Sequence, residues 1–298
     1  MNIIVWLLLC LIWGTTWFFI KIGLRDLPPI SFAGMRFVSA SVILLIIIRQ
    51  QKIPLPKTKR EWKLLAVTGF LQFSVNYSLV FWSEQYISSG LAAVLQATIP
   101  VFGLLMAWVH LPDEKITKRK IAAITAGIIG VAIIFVEQLH INNVMAFTGS
   151  AAIVAGAFAA AESSILVKSS GGAFHPVGLL FGQMVCGLVP IVLFGLWSEG
   201  NPLNFHWTGS AIFAVFYLAI IGTIVAFWLF YWLLHRVEST KAMTISLATP
   251  LVAVIVGALA LDEKLLPQTF LGGALILGSI SAVAFKKQTK IVEQDHAA

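Results

Sequence analysis

Charged side chains are scarce in this chain. Asp, Glu, Lys and Arg supply only 11% of its 298 residues, whereas 59% are hydrophobic and the mean hydropathy is +0.92. A soluble globule of this length needs far more polar surface, so the composition excludes one. The long apolar stretches predict a protein embedded in lipid, where helices pair their backbone polar groups internally.

Cysteine is also rare, and motifs for metal binding or catalysis are missing. Cys10 and Cys186 lie inside apolar stretches and are interpreted as small core residues, not as a disulfide or a metal site. The six histidines have no metal-ligand spacing, and the chain lacks H-E-x-x-H, G-x-S-x-G and P-loop motifs. We therefore expect this protein to bind no metal and no cofactor, and to be neither an enzyme nor an ATP-driven pump.

The apolar stretches predict an all-α membrane protein with ten transmembrane helices. Each stretch is about 18 to 25 residues long, enough for a helix to cross a hydrocarbon core of about 30 Å. The predicted spans are 3–22, 30–48, 62–82, 86–111, 119–136, 148–168, 175–197, 208–234, 240–261 and 267–285.

Part of the sequence is an internal repeat. The stretch that begins at Tyr77 aligns with the one that begins at Phe227, so that Pro100 falls on Pro250 at an offset of 150. A weaker match lays Lys21 on Lys168 at an offset of 147. Five helices in each copy put the second copy into the membrane with the opposite orientation, so two inverted repeats are predicted. Their ranges are 1–137 and 148–285, followed by a tail over 286–298.

The distribution of positive charge sets the orientation. With a cytoplasmic N-terminus, the cytoplasmic loops and the tail hold 16 Lys and Arg residues, and the outer side holds only Lys21, Arg25 and Lys264. The positive-inside rule therefore places both termini in the cytoplasm. The basic residues follow this topological pattern, so the net charge of +7 does not indicate nucleic acid as a partner.

Several short motifs together carry a family likeness. Trp13-Gly14, Arg36 after Pro28-Pro29, Pro100 and Asp113-Glu114-Lys115 occur in the first copy, and Pro250 and Asp262-Glu263-Lys264 repeat the pattern in the second. The chain resembles the EamA-domain transporters of the drug/metabolite transporter superfamily. This resemblance implies a central cavity built by the first four helices of each half. The Asp-Glu-Lys motifs themselves are interpreted as turn and helix-start signals.

The resemblance further implies a secondary transporter in the inner membrane of a bacterial-type cell. The leading expectation is an exporter of small amphipathic metabolites, such as aromatic or hydrophobic amino acids, that works by alternating access. A drug or cation exporter driven by proton antiport and a channel-like permease remain open as alternatives. The expected partners are the lipid bilayer, a small-molecule substrate and a coupling proton, and a monomer is expected to suffice.

Two charged residues are predicted to lie within the membrane. Glu162 stands in a run of small residues and is expected to face a cavity, where it binds a proton or a cationic group. A structural acid is the alternative. Arg36 keeps its charge in a protein and is expected either to contact substrate or to anchor its helix through carbonyls or the membrane interface.

Uncharged candidates come from helical spacing. Gln72, Asn76 and Ser83 repeat at spacings of 4 and 7 and form one polar stripe, which is suited either to a polar substrate or to joining helices. Trp13 and Trp17 share a helix face that can stack an apolar group. Mid-helix prolines free a carbonyl and favour bends. The predicted hinges are Pro100 and Pro250, and the ligand candidates beside them are Gln96, Thr244 and Ser246.

Overall fold

The computed structural model describes residues 2–87, 92, 95–134, 144–170, 174–252 and 267–284. Within these ranges the chain forms helices, turns and connecting segments, with no strand. The helices are α1 (Asn2–Gly23), α2 (Pro29–Gln51), α3 (Lys59–Ser83), α4 (Ile99–His110), α5 (Lys118–Ile134), α6 (Val144–Ser169), α7 (Pro176–Ser198), α8 (Gly209–Leu234), α9 (Ser239–Met243) and α10 (Pro267–Ala284).

Six helices in the described residues are long and apolar enough to cross a membrane. They are α1, α2, α3, α6, α7 and α8, each of 22 to 26 residues. Two shorter helical stretches, Ile99–His110 and Phe270–Ala282, are also apolar, so the molecule has the fold of a membrane protein. The predicted spans agree with the observed helices for these six to within a few residues.

Two of the long helices contain an internal π-helical segment. In α3 the segment is Phe70–Asn76, and in α8 it is Ile220–Val225. Their first residues are separated by the same 150 positions that relate the two copies of the sequence. A π segment changes the direction of the side chains that follow it and occurs frequently at functional sites.

The starts of α3 and α8 are capped in matching ways. The Thr58 hydroxyl accepts a hydrogen bond from the backbone N–H of Glu61, and the Glu61 carboxylate accepts one from Thr58 N. Thr208, 150 positions later, accepts from the backbone N–H of Ala211. A threonine hydroxyl that satisfies a free N–H of the first turn defines where a helix begins.

Polar contacts join the two halves at one end of the bundle. The Asp26 carboxylate accepts a hydrogen bond of 2.6 Å from the Thr208 hydroxyl, and Glu199 accepts bonds of 2.9 and 2.6 Å from the backbone N–H groups of Ile30 and Ser31. Lys21 lies at this same end, where its Nζ donates to the carbonyl oxygen of Glu84 over 3.3 Å. These contacts define the Lys21 end.

A second set of contacts lies at the opposite end. Lys168, the counterpart of Lys21, donates to the carbonyl oxygens of Leu234, over 2.8 Å, and of Val237. Thr208 precedes α8 and Leu234 is the last of its 26 residues, so this Lys168 end is about 39 Å along the helix from the Lys21 end. The two related lysines therefore occupy opposite ends of the molecule.

Small residues allow the helices to approach closely. A Cβ placed on Gly130 of α5 would lie 2.7 Å from the carbonyl oxygen of Gly272 of α10, and these two helices pack mainly on each other. The small-residue run of α6 is used in the same way, since a Cβ on Gly156 would lie 3.0 Å from Asn76 Oδ1 of α3. Tight packing of this kind is how helices associate in lipid.

The fourth and ninth helices differ from their predicted spans. The helical residues 95–96 are followed by a turn at 97–98 before α4 begins, and α9 is followed by a turn at Thr244 before helical residues 245–252. Pro100 therefore lies in the first turn of α4, where a missing N–H costs nothing, and not in the middle of a helix as predicted. The Asp262-Glu263-Lys264 motif and the tail over 286–298 lie outside the described residues.

Candidate functional site

A cavity lies between the two halves of the chain. Its walls come from α1, α3, α6 and α8, together with residues around the turns that precede α4 and follow α9. Its volume is about 130 Å³, whereas a single buried water needs roughly 10–15 Å³. The space suits a small molecule.

The walls combine aromatic rings with uncharged polar groups. None of the described residues that line the cavity is charged. The rings belong to Trp13, Trp17, Tyr77, Phe227 and Phe230, and the polar side chains to Thr16, Gln72, Asn76, Gln96, Ser164, Ser246 and Thr249. Such a lining favours a ligand with an apolar part and groups that form hydrogen bonds, because a few polar groups in an apolar pocket fix orientation.

Six of the predicted site residues line this cavity, namely Trp13, Trp17, Gln72, Asn76, Gln96 and Ser246. Two of them contact each other, since Gln96 Nε2 donates to Asn76 Oδ1 over 3.3 Å. The bond places an amide pair in the wall where α3 meets the start of the fourth helical region. Thr244 is not in the lining, and its hydroxyl instead accepts a hydrogen bond of 3.3 Å from Trp6 Nε1.

Trp13 is held by rings from the other half. Its ring centroid lies 5.5 Å from that of Phe227 and 5.3 Å from that of Phe230, in edge-on and tilted geometries that aromatic pairs favour. The indole Nε1 is buried without a hydrogen-bond partner among the described residues. A buried donor of this kind normally has a partner.

Arg36 is buried behind the cavity wall and is only 1% exposed. Its Nε donates to the Thr223 hydroxyl over 2.7 Å and its Nη2 donates to the Gly222 carbonyl oxygen over 3.0 Å. Both acceptors belong to the π segment of α8. The guanidinium carbon lies 4.8 Å from the ring centroid of Tyr77, a lining residue. Arg36 thus anchors the π segment and lies beside the cavity wall at Tyr77.

The π segment of α3 has its own anchor on α7. The Ser74 hydroxyl donates to the Gly187 carbonyl oxygen, and a Cβ on Gly69 would lie 2.1 Å from the Gln183 carbonyl oxygen. Gln183 occupies the position related to Arg36, and its Oε1 accepts a hydrogen bond of 2.6 Å from the Tyr231 hydroxyl. Each π segment is therefore supported by a helix of the opposite half.

Glu162 is not among the residues that line the cavity. Its Oε1 lies 3.3 Å from His110 Nε2, and the two side chains are 18% and 34% exposed. This pair joins α4 to α6 near the Lys168 end. The sequence offered no pattern that linked these two residues, because their positions near helix ends come together only after the halves pack.

Glu114 also has a role beyond the predicted turn. Its carboxylate lies 3.2 Å from Lys168 Nζ and accepts hydrogen bonds of 2.9 and 3.0 Å from the backbone N–H of Ser239. Nearby, Lys120 Nζ is 2.9 Å from Glu238. The loop between α4 and α5 is thus tied to α6 and to the turn before α9, so these contacts hold the Lys168 end together.

The comparisons with known proteins agree with this architecture. The EamA-like transporter family matches residues 1–136 and 147–285. A crystal structure with 17% sequence identity superposes with a TM-score of 0.79 and covers 95% of this chain and 96% of its own. That likeness concerns the fold alone.

Two relatives match over nearly their whole lengths. An uncharacterized transporter of Archaeoglobus fulgidus is 31% identical, over 95% of this chain and 99% of its own. A probable amino-acid metabolite efflux pump of Escherichia coli is 28% identical, over 91% of this chain and 90% of its own. With both halves matched by one family of transporters, this multi-pass membrane protein belongs to the EamA-like transporter family.

Proposed function

We propose that this protein is a secondary-active exporter of small amphipathic metabolites, with aromatic or hydrophobic amino acids as the leading substrates. The lining of the cavity is the observation that carries this proposal. Aromatic rings suit an apolar side chain, while the amides of Gln72, Asn76 and Gln96 suit carboxylate and amino groups. The E. coli relative described as a probable amino-acid metabolite efflux pump supports the same substrate class.

The uncharged lining also bears on the alternative of a cation exporter. A cationic drug in this cavity would have no carboxylate within the described lining to pair with, because Glu162 is paired with His110 instead. Stacking on Trp13 and Trp17 still permits cation–π attraction, but this is worth only about 0.5–2 kcal/mol. The geometry therefore favours a zwitterionic substrate over a cation.

The transport mechanism that we propose is alternating access between two inverted halves of five helices each. Related features at opposite ends support it: Lys21 and Lys168 are separated by 147 positions and the caps Thr58 and Thr208 by 150. The matching π segments lie beside the cavity, and inverted repeats place a substrate site at their interface. One chain supplies both halves, so a monomer in the inner membrane of a bacterial-type cell is sufficient.

Ligand-induced stabilisation tests the substrate class. Purified protein in detergent is heated with a set of hydrophobic amino acids, nucleosides and cationic drugs, and its melting temperature is recorded. A ligand at about 100 times its Kd stabilises the native state by about 2.7 kcal/mol. We expect phenylalanine and related amino acids to raise the melting temperature and to drive saturable counterflow in proteoliposomes. Stabilisation by cationic drugs alone would overturn the amino-acid assignment.

Orientation is tested by single cysteines on the two exposed loops. In a background with Cys10 and Cys186 replaced, Asn201→Cys at the Lys21 end is expected to react with a membrane-impermeant maleimide added to intact cells. Lys57→Cys at the Lys168 end is expected to react only after permeabilisation, because the positive-inside rule places it in the cytoplasm. The reverse pattern would reject the proposed topology.

A further inference from the structure

A buried carboxyl group lies at the Lys21 end of the bundle, and the proposed transport mechanism gives it no task. Glu84 immediately follows α3 and is 1% exposed. Both of its carboxylate oxygens are without a hydrogen-bond partner among the described residues. An ionised carboxylate in such a place is costly, because nothing replaces the hydration that it loses. The neutral acid is the form that fits this conformation.

Glu84 lies over one end of the cavity. Val80 lines the cavity and precedes Glu84 by four residues, so the two side chains share a helix face about one turn apart. Gln72 and Asn76 precede Val80 on the same face at the same spacing. The carboxyl group thus continues the polar stripe of α3 beyond the lining, toward the Lys21 end.

Few charged groups surround Glu84 within the part of the chain that the structure describes. From α1, Lys21 donates its Nζ to the carbonyl oxygen of Glu84 over 3.3 Å, and from α2 the charged group on this side is Arg36, beside Tyr77 and two turns deeper. Residues 144–161 of α6, which pack on this part of α3, contain no titratable side chain. Burial raises the pKa of the Glu84 carboxyl, and the charge of Lys21 lowers it by less.

We propose that Glu84 is a proton-binding site that couples protonation to closure of the Lys21 end of the cavity. In the closed conformation Glu84 carries a proton. When that end opens, water reaches the carboxyl, its O–H bond breaks, the proton passes to water and a hydrated carboxylate remains. Proton binding from the same side reverses the step and favours closure. The inference rests on the proposed function only in that the Lys21 end faces outward.

The direction of the pH response follows from the protonated and ionised forms of Glu84. Acid pH keeps Glu84 neutral, which stabilises the closed end. As the pH rises through the raised pKa, the closed conformation loses stability relative to the open one, because only the open one hydrates the carboxylate. Opening at the Lys21 end is therefore expected to increase with external pH.

Cysteine accessibility measures this opening without any substrate. A single cysteine at Val80, in a background that lacks Cys10 and Cys186, is labelled from outside intact cells with an impermeant maleimide at several pH values. Thiolate formation raises labelling of any cysteine with pH, so the rate is divided by that of Asn201→Cys on the exposed loop. This ratio is expected to rise about fivefold between about pH 6 and pH 9 in the otherwise unchanged protein.

Glu84→Gln removes the ionisable group and keeps the shape. Combined with Val80→Cys, it is expected to give a low ratio that does not change with pH. Asp113→Asn, which removes an exposed acid at the Lys168 end, is the matched control and should keep the full response. A ratio without pH dependence in the parent, or an equal response in the Gln variant, would overturn the proposal.

Two further measurements distinguish loss of the proton site from a folding defect and from a wrong substrate assignment. If the Gln variant does not fold, Glu84→Asp retains an ionisable group and should keep a pH response with a shifted midpoint. The loss of that response in a folded Asp variant, with the Asp113→Asn control intact, would count against the proposal. If the protein does not transport amino acids, the substrate assignment is refuted and the labelling result is unaffected. If it transports amino acids but the labelling ratio does not change with pH, only the proton site is refuted.

Discussion

Gly69→Ala is expected to prevent stable folding. The methyl group would lie 2.1 Å from the carbonyl oxygen of Gln183 and 2.8 Å from its carbonyl carbon, closer than atoms approach without rearrangement. The Gly69 backbone is helical, with φ −67° and ψ −43°, so alanine itself suits the local conformation and the whole cost comes from pushing α3 away from α7. Overpacking normally costs about 1–3 kcal/mol, and a backbone clash puts this case at or above that range.

Gly278→Ala is the matched control for this experiment. A Cβ at Gly278 meets no atom within 4 Å, and the residue also lies inside a helix, α10. Alanine there is expected to be neutral or to stabilise the protein by up to about 1 kcal/mol. Yield, size-exclusion profile and melting temperature in detergent report both variants. A Gly69→Ala protein with the same melting temperature as the wild type would show that α3 and α7 are not packed as closely as described.

The sequence was sufficient for the parts of the fold that depend on local pattern. Long apolar stretches predicted the six long helices, and the spacing of Gln72 and Asn76 predicted a polar stripe that does line the cavity. Trp13 and Trp17, one turn apart in the sequence, both line the cavity as well. In each case the property follows from helix periodicity, which a single sequence carries.

Helix periodicity does not predict the π segments. Residues 70–76 and 220–225 contain no proline and no pattern that separates them from ordinary apolar helix. Some of their polar groups have partners far along the chain, such as Arg36 for the Gly222 carbonyl and the Thr223 hydroxyl. The matching offset of 150 is the signal available in the sequence, and it marks equivalence but not conformation.

The acidic residues show the same limit. Glu162 was predicted to face the cavity because charge is rare in membranes, yet rarity says nothing about direction, and its neighbour proves to be His110. Glu84 lies between the predicted spans 62–82 and 86–111, although packing of α2 and α6 on the end of α3 accompanies its burial. The environment of a charged side chain is a tertiary property, so burial has to be observed.

Asn76→Leu is expected to reduce transport of a hydrophobic amino acid by about 10- to 100-fold. Leucine keeps the branched shape of asparagine with somewhat larger end groups, but it cannot accept the hydrogen bond of 3.3 Å from Gln96, and it removes an amide from the lining. A buried polar group left unpaired costs about 1–3 kcal/mol, and each 1.4 kcal/mol corresponds to about a factor of ten. Uptake of phenylalanine into proteoliposomes by counterflow gives kcat/KM for each variant.

Asn204→Leu makes the same substitution in the exposed segment before α8 and should transport as wild type does. Gln96→Met removes the other member of the amide pair, and the double variant Asn76→Leu/Gln96→Met completes a cycle. If the pair acts as one unit in binding, the double variant loses little more than either single variant, because each substitution already breaks the same contact. Strictly additive losses would mean that each amide contacts substrate independently. Wild-type transport by a folded Asn76→Leu protein would remove the polar stripe of α3 from the substrate site, since the amide closest to the centre of that stripe would then be dispensable.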